Sequence, residues 1–158
     1  MISFPHSCLR RLALVCLLMT GSAASHAADL LTTAEQSGTF KAFVAAVKKS
    51  GVAETLKNGG PYTIFAPTDE AISKYGQERW QALEKDRSKL SHLLMGHILP
   101  GKMLITEVKP GPATTLAGST VKLKSDNGKV TVDEANVTQS DITADNGIIH
   151  AVDKVLAE

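Results

Sequence analysis

Apolar positions in the first part of the chain recur with the period of a helix. In TFKAFVAAVKKSG (residues 39–51), Phe40, Phe43, Val44 and Val47 stand at i, i+3, i+4 and i+7, a spacing that gathers them on one helical face. Lys48 and Lys49 suit the C-terminal end of that helix, and Gly51 suits the position just beyond it. VAETLK (52–57) extends the helical pattern until NGGP (58–61) interrupts it, because Gly-Gly-Pro cannot continue a helix. YTIFAP (62–67) is rich in aromatic and β-branched residues and predicts a buried strand. TDEAISKY (68–75) and RWQALEKDRSKLSHLLMGHILP (79–100) return to the helical pattern. Leu90, Leu93, Leu94 and Ile98 predict one helix running to Ile98, ended by Pro100 and Gly101.

After Gly101 the period shortens. MLITEV (103–108), VKLKS (121–125), KVTVD (129–133) and IIHAVDKVL (148–156) are short β-type runs separated by Gly, Pro and Asn. SDNGKV (125–130) centres on Asn127-Gly128, a hairpin signal because both residues tolerate the positive φ of a type I′ turn. PGPATTLAGS (110–119) reads as a long polar connection, exposed and free to bind. Helices with one embedded strand precede a β-rich half. Regular β–α alternation is missing, so an α+β fold is expected, with helices on one side or end of the sheet.

Composition changes the picture first at the N-terminus. Arg10 and Arg11, the apolar run LALVCLLM (12–19) and the small residues around Ala27 predict a secretory signal peptide over residues 1–27. The run is shorter than the roughly 20 residues that span a bilayer, and Val15 stands before Cys16 where a lipid-anchor signal needs a small residue. Both cysteines, Cys8 and Cys16, fall in this segment. The expected mature chain, residues 28–158, therefore has neither disulfides nor thiolate chemistry. It is expected to be exported, periplasmic or extracellular, and its length fits one domain with its own core. Without Arg10 and Arg11, fifteen of the seventeen Lys and Arg face sixteen Asp and Glu. That near-neutral balance, without a basic run, offers no footprint for nucleic acid.

Two constellations invite a catalytic reading. Thr68, Asp69 and Glu70 follow Pro67 at a helix start. Thr68 suits the N-cap, and the two carboxylates suit the first turn. Adjacent helical residues point about 100° apart, a poor geometry for an acid–base pair. The other constellation is His92, His97 and His150. His92 and His97 are five apart and so do not form an i, i+4 metal pair. His97 falls on the helical stripe with Leu90, Leu93 and Leu94, and His150 inside an apolar run, the setting of buried imidazoles with one or two hydrogen-bond partners. No Gly-x-Ser-x-Gly elbow or phosphate-binding glycine loop occurs. Asn136-Val137-Thr138 is a glycosylation sequon, relevant only in a eukaryotic secretory pathway. Neither catalysis nor a cofactor is expected. The competing reading is a small periplasmic ligand carrier or enzyme using His97 and His150, which requires both histidines to converge on a deep apolar pocket.

YTIFAPTDEAISKY (62–75) resembles the first signature motif of the fasciclin (FAS1) domain family, and DNGIIHAVDKVL (145–156) resembles its second. LLMGHILPGKM (93–103) is similar to the segment around the family's Tyr-His pair, with Gly96 where the family often has Tyr. The resemblance covers residues 30–156. It implies a compact wedge of two β-sheets with several packed helices, and a role in adhesion or extracellular association rather than chemistry. The matching positions are Phe65, Ala66, Pro67, Thr68, Asp69 and Glu70 in the first motif and His97, Pro100 and Gly101 in the centre. Asn146, Gly147, His150 and Asp153 match the second. The implied partner is an unidentified cell-surface protein or polysaccharide, or a further copy of the chain. Gly96 departs from the pattern and weakens any role for an aromatic-histidine pair.

Overall fold

The computed structural model describes residues 28–156, so the expected signal peptide and both cysteines lie outside the described residues. Six helices come in two groups around the first strand: α1 (Leu30–Ser37), α2 (Lys41–Ser50) and α3 (Val52–Asn58), then β1 (Tyr62–Pro67), then α4 (Asp69–Tyr75), α5 (Gln77–Lys85) and α6 (Arg87–Met95). The strands β2 (Ile98–Pro100), β3 (Gly111–Thr114), β4 (Thr120–Asp126), β5 (Lys129–Val132), β6 (Ala135–Ala144) and β7 (Gly147–Val152) complete the chain.

Hydrogen bonding runs through the strands in the order β2-β1-β7-β6-β5-β4-β3. The pair β1–β7 is parallel and the other pairs are antiparallel. One sheet holds β2, β1, β7 and β6; the other holds β3, β4, β5 and β6. The shared strand β6 changes register against β7 between Val137 and Ile142, and Asp141 takes φ +57° there. Such irregularities bend a strand and raise its twist, which lets one ribbon serve two sheets.

Alternate residues of the central strands feed two cores. Ile64, Ala66, Ile149 and Ala151 face the helices and pack with Leu30, Phe40, Phe43, Val47, Leu56, Leu90 and Leu94. Phe65 and Val152 face the other way and pack with Leu99, Val121, Leu123, Val130 and Val132 between the sheets. This explains why YTIFAP carries no polar alternation: a strand covered on both faces needs apolar residues on both. At the hairpin between β4 and β5, Asn127 (φ +50°) and Gly128 (φ +80°) adopt the predicted left-handed pair.

Three expectations need correction. The helix predicted to reach Ile98 ends at Met95, after a break at Asp86, whose carboxylate accepts the Lys89 N–H at 3.2 Å and starts α6 afresh. MLITEV is not a strand: Ile105–Glu107 forms a 3₁₀ turn, with the Leu104 N–H donated to the Glu107 carboxylate at 3.1 Å. The supposed loop 110–119 is partly structure, since Gly111–Thr114 is the edge strand β3 and Thr115 is buried. Helix α1 and the long strand β6 were not anticipated. LLTTAEQS buries Leu30, Leu31 and Ala34 alone, and ANVTQSDITA is mostly exposed or half-buried, so neither carries a long apolar run.

Candidate functional site

The first motif is a strand followed by two caps. Phe65, Ala66 and Pro67 are buried in β1. Thr68 accepts the Ala71 N–H at 3.1 Å and caps α4 as expected. Asp69 does more than complement its own helix: its carboxylate accepts the Ala42 N–H at 2.8 Å across 27 residues. Phe40, the residue preceding α2, offers no side-chain cap, so Asp69 supplies the acceptor that α2 lacks. Glu70 is exposed. The Thr68-Asp69-Glu70 cluster is thus spent on helix starts.

The central segment surrounds β2. Gly101 donates its N–H to the Pro61 carbonyl at 2.9 Å, and its own carbonyl accepts the Thr63 hydroxyl at 2.7 Å. Pro100 pairs with Tyr62. His97 is fully buried, tilted against the Phe43 ring at 6.2 Å between centroids. Its Nδ1–H donates to the Leu93 carbonyl at 2.9 Å, and its Nε2 accepts the Leu156 N–H at 3.0 Å. Burial lowers its pKa to about 4, against the raising effect of the Leu93 carbonyl. The ring stands just past α6, not on a helical leucine stripe.

In the second motif, Asn146 joins three segments. Its Oδ1 accepts the Leu30 N–H at the start of α1 at 2.8 Å. Its Nδ2 donates to the Leu56 carbonyl in α3 at 2.8 Å, and its carbonyl accepts the Tyr62 N–H at 3.0 Å. Gly147 stands where β7 comes closest to β1; an added Cβ would land on the Tyr62 carbonyl oxygen, so only glycine fits. His150 is fully buried and stacks on Phe65, with centroids 5.5 Å apart. Its Nε2–H donates to the Met103 carbonyl at 2.9 Å, and its Nδ1 accepts the Asp141 N–H at 3.2 Å. Burial lowers its pKa, against the raising effects of the Met103 carbonyl and Asp141. Asp153 accepts both the backbone N–H and the side-chain amide of Asn136, at 2.8 and 2.9 Å. Burial pushes this carboxyl up, but the Asn136 bonds, Lys154 and Lys74 together hold it below the ordinary range.

His97 and His150 therefore do not converge. One ring contacts Phe43 of the helix-side core and the other stacks on Phe65 of the inter-sheet core. All four ring nitrogens already have backbone partners. Among the described residues no group of three His, Cys, Asp or Glu is placed to hold a metal ion, and no helix is long and apolar enough to cross a membrane.

A sizeable concavity lies elsewhere. A cleft of about 850 Å³ opens between α4–α6 on one side and β4, the β5–β6 turn and the segment after β7 on the other. Leu83, Leu93, Val121, Val155 and Leu156 supply its apolar lining, and Gly96 stands at its edge. The helix wall carries Lys89 and His92, and the strand wall carries Asp133 and Glu134, the latter 4.0 Å from Lys154. Of these wall residues, Leu93, Gly96 and His92 were singled out from sequence, none of them as part of a cleft. The wall comes from separate segments spread from Tyr75 to Leu156, and no local period marks it.

The fasciclin domain family matches residues 38–158 of the chain. Protein sll1483 of a Synechocystis strain is 35% identical over 141 residues, covering 88% of this chain and 78% of that protein. Human periostin is 31% identical over 125 residues, covering 77% of this chain and 15% of periostin. Among solved structures, a FAS1 domain pair from the insect cell adhesion molecule fasciclin I superposes with a TM-score of 0.66 at 19% identity. That alignment covers 83% of this chain and 51% of the pair; at this identity the likeness concerns the fold. With both signature motifs built into the β1–β7 seam, the chain belongs to the fasciclin domain family.

Proposed function

We propose that the chain is an exported, non-catalytic adhesion module that binds a protein of the cell surface or matrix through the cleft between α4–α6 and the β5–β6 turn. The observation that carries this reading is the disposition of the motif residues. His97, His150, Asp69, Asp153 and Asn146 are engaged in internal hydrogen bonds, while the cleft carries charged side chains open to solvent. Kinship with proteins that include a cell adhesion molecule supports association as the role. The signal-type pattern at Arg10, Arg11 and residues 12–27 supports export.

The cleft favours protein over polysaccharide. Its lining combines Leu83, Leu93, Val121, Val155 and Leu156 with charged side chains of both signs, Lys89 from the helices and Asp133, Glu134 and Lys154 from the strand side. A partner surface with an apolar centre flanked by both signs of charge complements that arrangement. An acidic polysaccharide would meet the carboxylates unfavourably.

Attachment of the purified protein to cells of the producing strain tests the reading, with cells untreated, protease-stripped or periodate-oxidised. Lys89→Glu and Glu134→Lys, both on exposed side chains, are each expected to weaken attachment by about three- to thirtyfold, the size of a roughly 1–2 kcal/mol rim contact. Protease stripping is expected to abolish it. Attachment unchanged by both reversals would remove the cleft from the reading. Attachment strengthened by Glu134→Lys and lost after periodate would replace the protein partner with an acidic polysaccharide.

A further inference from the structure

The segment after β7 forms part of the cleft wall, and its attachment is unusual. Asp153 is fastened to Asn136 through backbone and side chain. Beyond it, Val155 packs towards the helix-side core and Leu156 towards the inter-sheet core. Among the described residues, the hydrogen bond that holds this stretch is the one from the Leu156 N–H to His97 Nε2 at 3.0 Å. The Lys154–Glu134 pair, at 4.0 Å with Glu134 91% exposed on its side chain, adds little restraint.

The partners of the His97 ring fix its protonation state. The Leu93 carbonyl can only accept, so Nδ1 carries the proton; the Leu156 N–H can only donate, so Nε2 must be bare. A proton added to Nε2 would place one N–H against another at hydrogen-bond distance. It would also leave a cation in an apolar core with one acceptor, a costly arrangement.

We infer that His97 is an acid-sensitive latch: protonation of its Nε2 expels the Leu156 N–H and releases residues 154–156 from the wall of the cleft while the two cores remain folded. The surroundings of the ring supply no other response to a proton. Packed against it are Phe43 of α2, the Leu93 carbonyl of α6, the β1 backbone at Phe65, whose N–H binds the His97 carbonyl at 2.8 Å, and Leu156. The ionisable groups of these elements are Lys41, Lys48 and Lys49 on α2, Arg87, Lys89 and His92 on α6, and Asp153 and Lys154 beside the released segment; β1 contributes only Tyr62. None of them acts on the ring, whose proton affinity is governed by burial first and by the Leu93 carbonyl second. Among the described residues no carboxylate stands ready to receive the imidazolium, so relief comes from moving the donor, whose segment is held by that one hydrogen bond. Asp153 limits the movement, because its own bonds to Asn136 do not involve the histidine. This latch stands whatever occupies the cleft.

Nuclear magnetic resonance of the uniformly labelled protein tests it directly, by following the His97 ring nitrogens and the exchange protection of backbone amides from pH 7 to acid. Protection of the Leu156 amide is expected to fall by up to about tenfold for each pH unit as the pH drops from 6.5 towards the His97 titration near pH 4, and to level off below it. The Ile149 amide, in the middle of β7, should stay protected over the same range. In His97→Gln, which does not titrate, the Leu156 amide should keep one protection level until the whole protein unfolds. The latch is overturned if His97 titrates while Leu156 stays protected, or if Leu156 and Ile149 lose protection together. It is equally overturned if His97→Gln retains the acid-dependent release. Should that variant not fold, the wild-type titration decides alone.

Discussion

Asp69 serves two helices at once, standing in the first turn of α4 while accepting the Ala42 N–H at the start of α2. Helix starts leave N–H groups unpaired, and a lost side-chain acceptor there costs about 0.5–2 kcal/mol. Asp69→Ala is therefore expected to destabilise the protein by about 1 kcal/mol, and Thr68→Ala by a similar amount. Asp69→Asn, which keeps an acceptor oxygen, should lose less than Asp69→Ala. Urea unfolding midpoints check all three. Equal losses for Asp69→Asn and Asp69→Ala would mean that charge near the helix start, not the hydrogen bond, is what counts. The Thr68 cap was readable because its partner lies three residues away. The Asp69 bond was not, because its partner is 27 residues back along the chain.

At the scale of elements, the β1–β7 seam joins the two signature motifs. Tyr62 to Pro67 pair in parallel with Gly147 to Val152, and Phe65 stands opposite His150. The close approach at Gly147 and the stacked Phe65–His150 rings lock that register. Phe65 is buried between the sheets, so Phe65→Ala is expected to cost about 3–5 kcal/mol. Total stability of such domains is about 5–15 kcal/mol, so the variant should melt far below the wild type or fail to fold. A variant melting within a few degrees of wild type by circular dichroism would show that the seam does not depend on the ring. Strand β1 was legible because burial on both faces demands an unbroken apolar run. β6 escaped notice for the opposite reason: its bulged, mostly exposed course leaves Asn136, Thr138, Gln139 and Ser140 facing solvent.

Across the whole molecule, acid acts on both cores through one residue type. His97 and His150 are neutral when buried and their pKa values lie below 6.5, His97 at about 4. The unfolded chain then binds protons more readily than the folded one. The stabilisation is complete above pH 6.5 and declines as the pH falls towards the folded values. For His97 alone the span from 6.5 to about 4 amounts to roughly 3 kcal/mol. Asp29, Asp86 and Asp153, whose carboxyls lie below 3.8, lose their contribution only at more acidic pH. Denaturant titrations between pH 7 and 4.5 should thus show falling stability, and a flat profile in that window would count against neutral buried histidines. Sequence by itself determined the α+β class, the strand between the two helical groups, the Asn127-Gly128 hairpin, the Thr68 cap and the apolar setting of both histidines. Each of these rests on residues close in the chain, whose spacing or turn chemistry is a local property. Only the tertiary structure decided that His97 and His150 belong to different cores, that Asn146 binds Leu30, Leu56 and Tyr62 together, and that the cleft is built from α6, β4 and the chain end. Those contacts join positions up to 116 residues apart, and which segments meet at such distances is set by how the whole sheet bends and packs, not by any period along the chain.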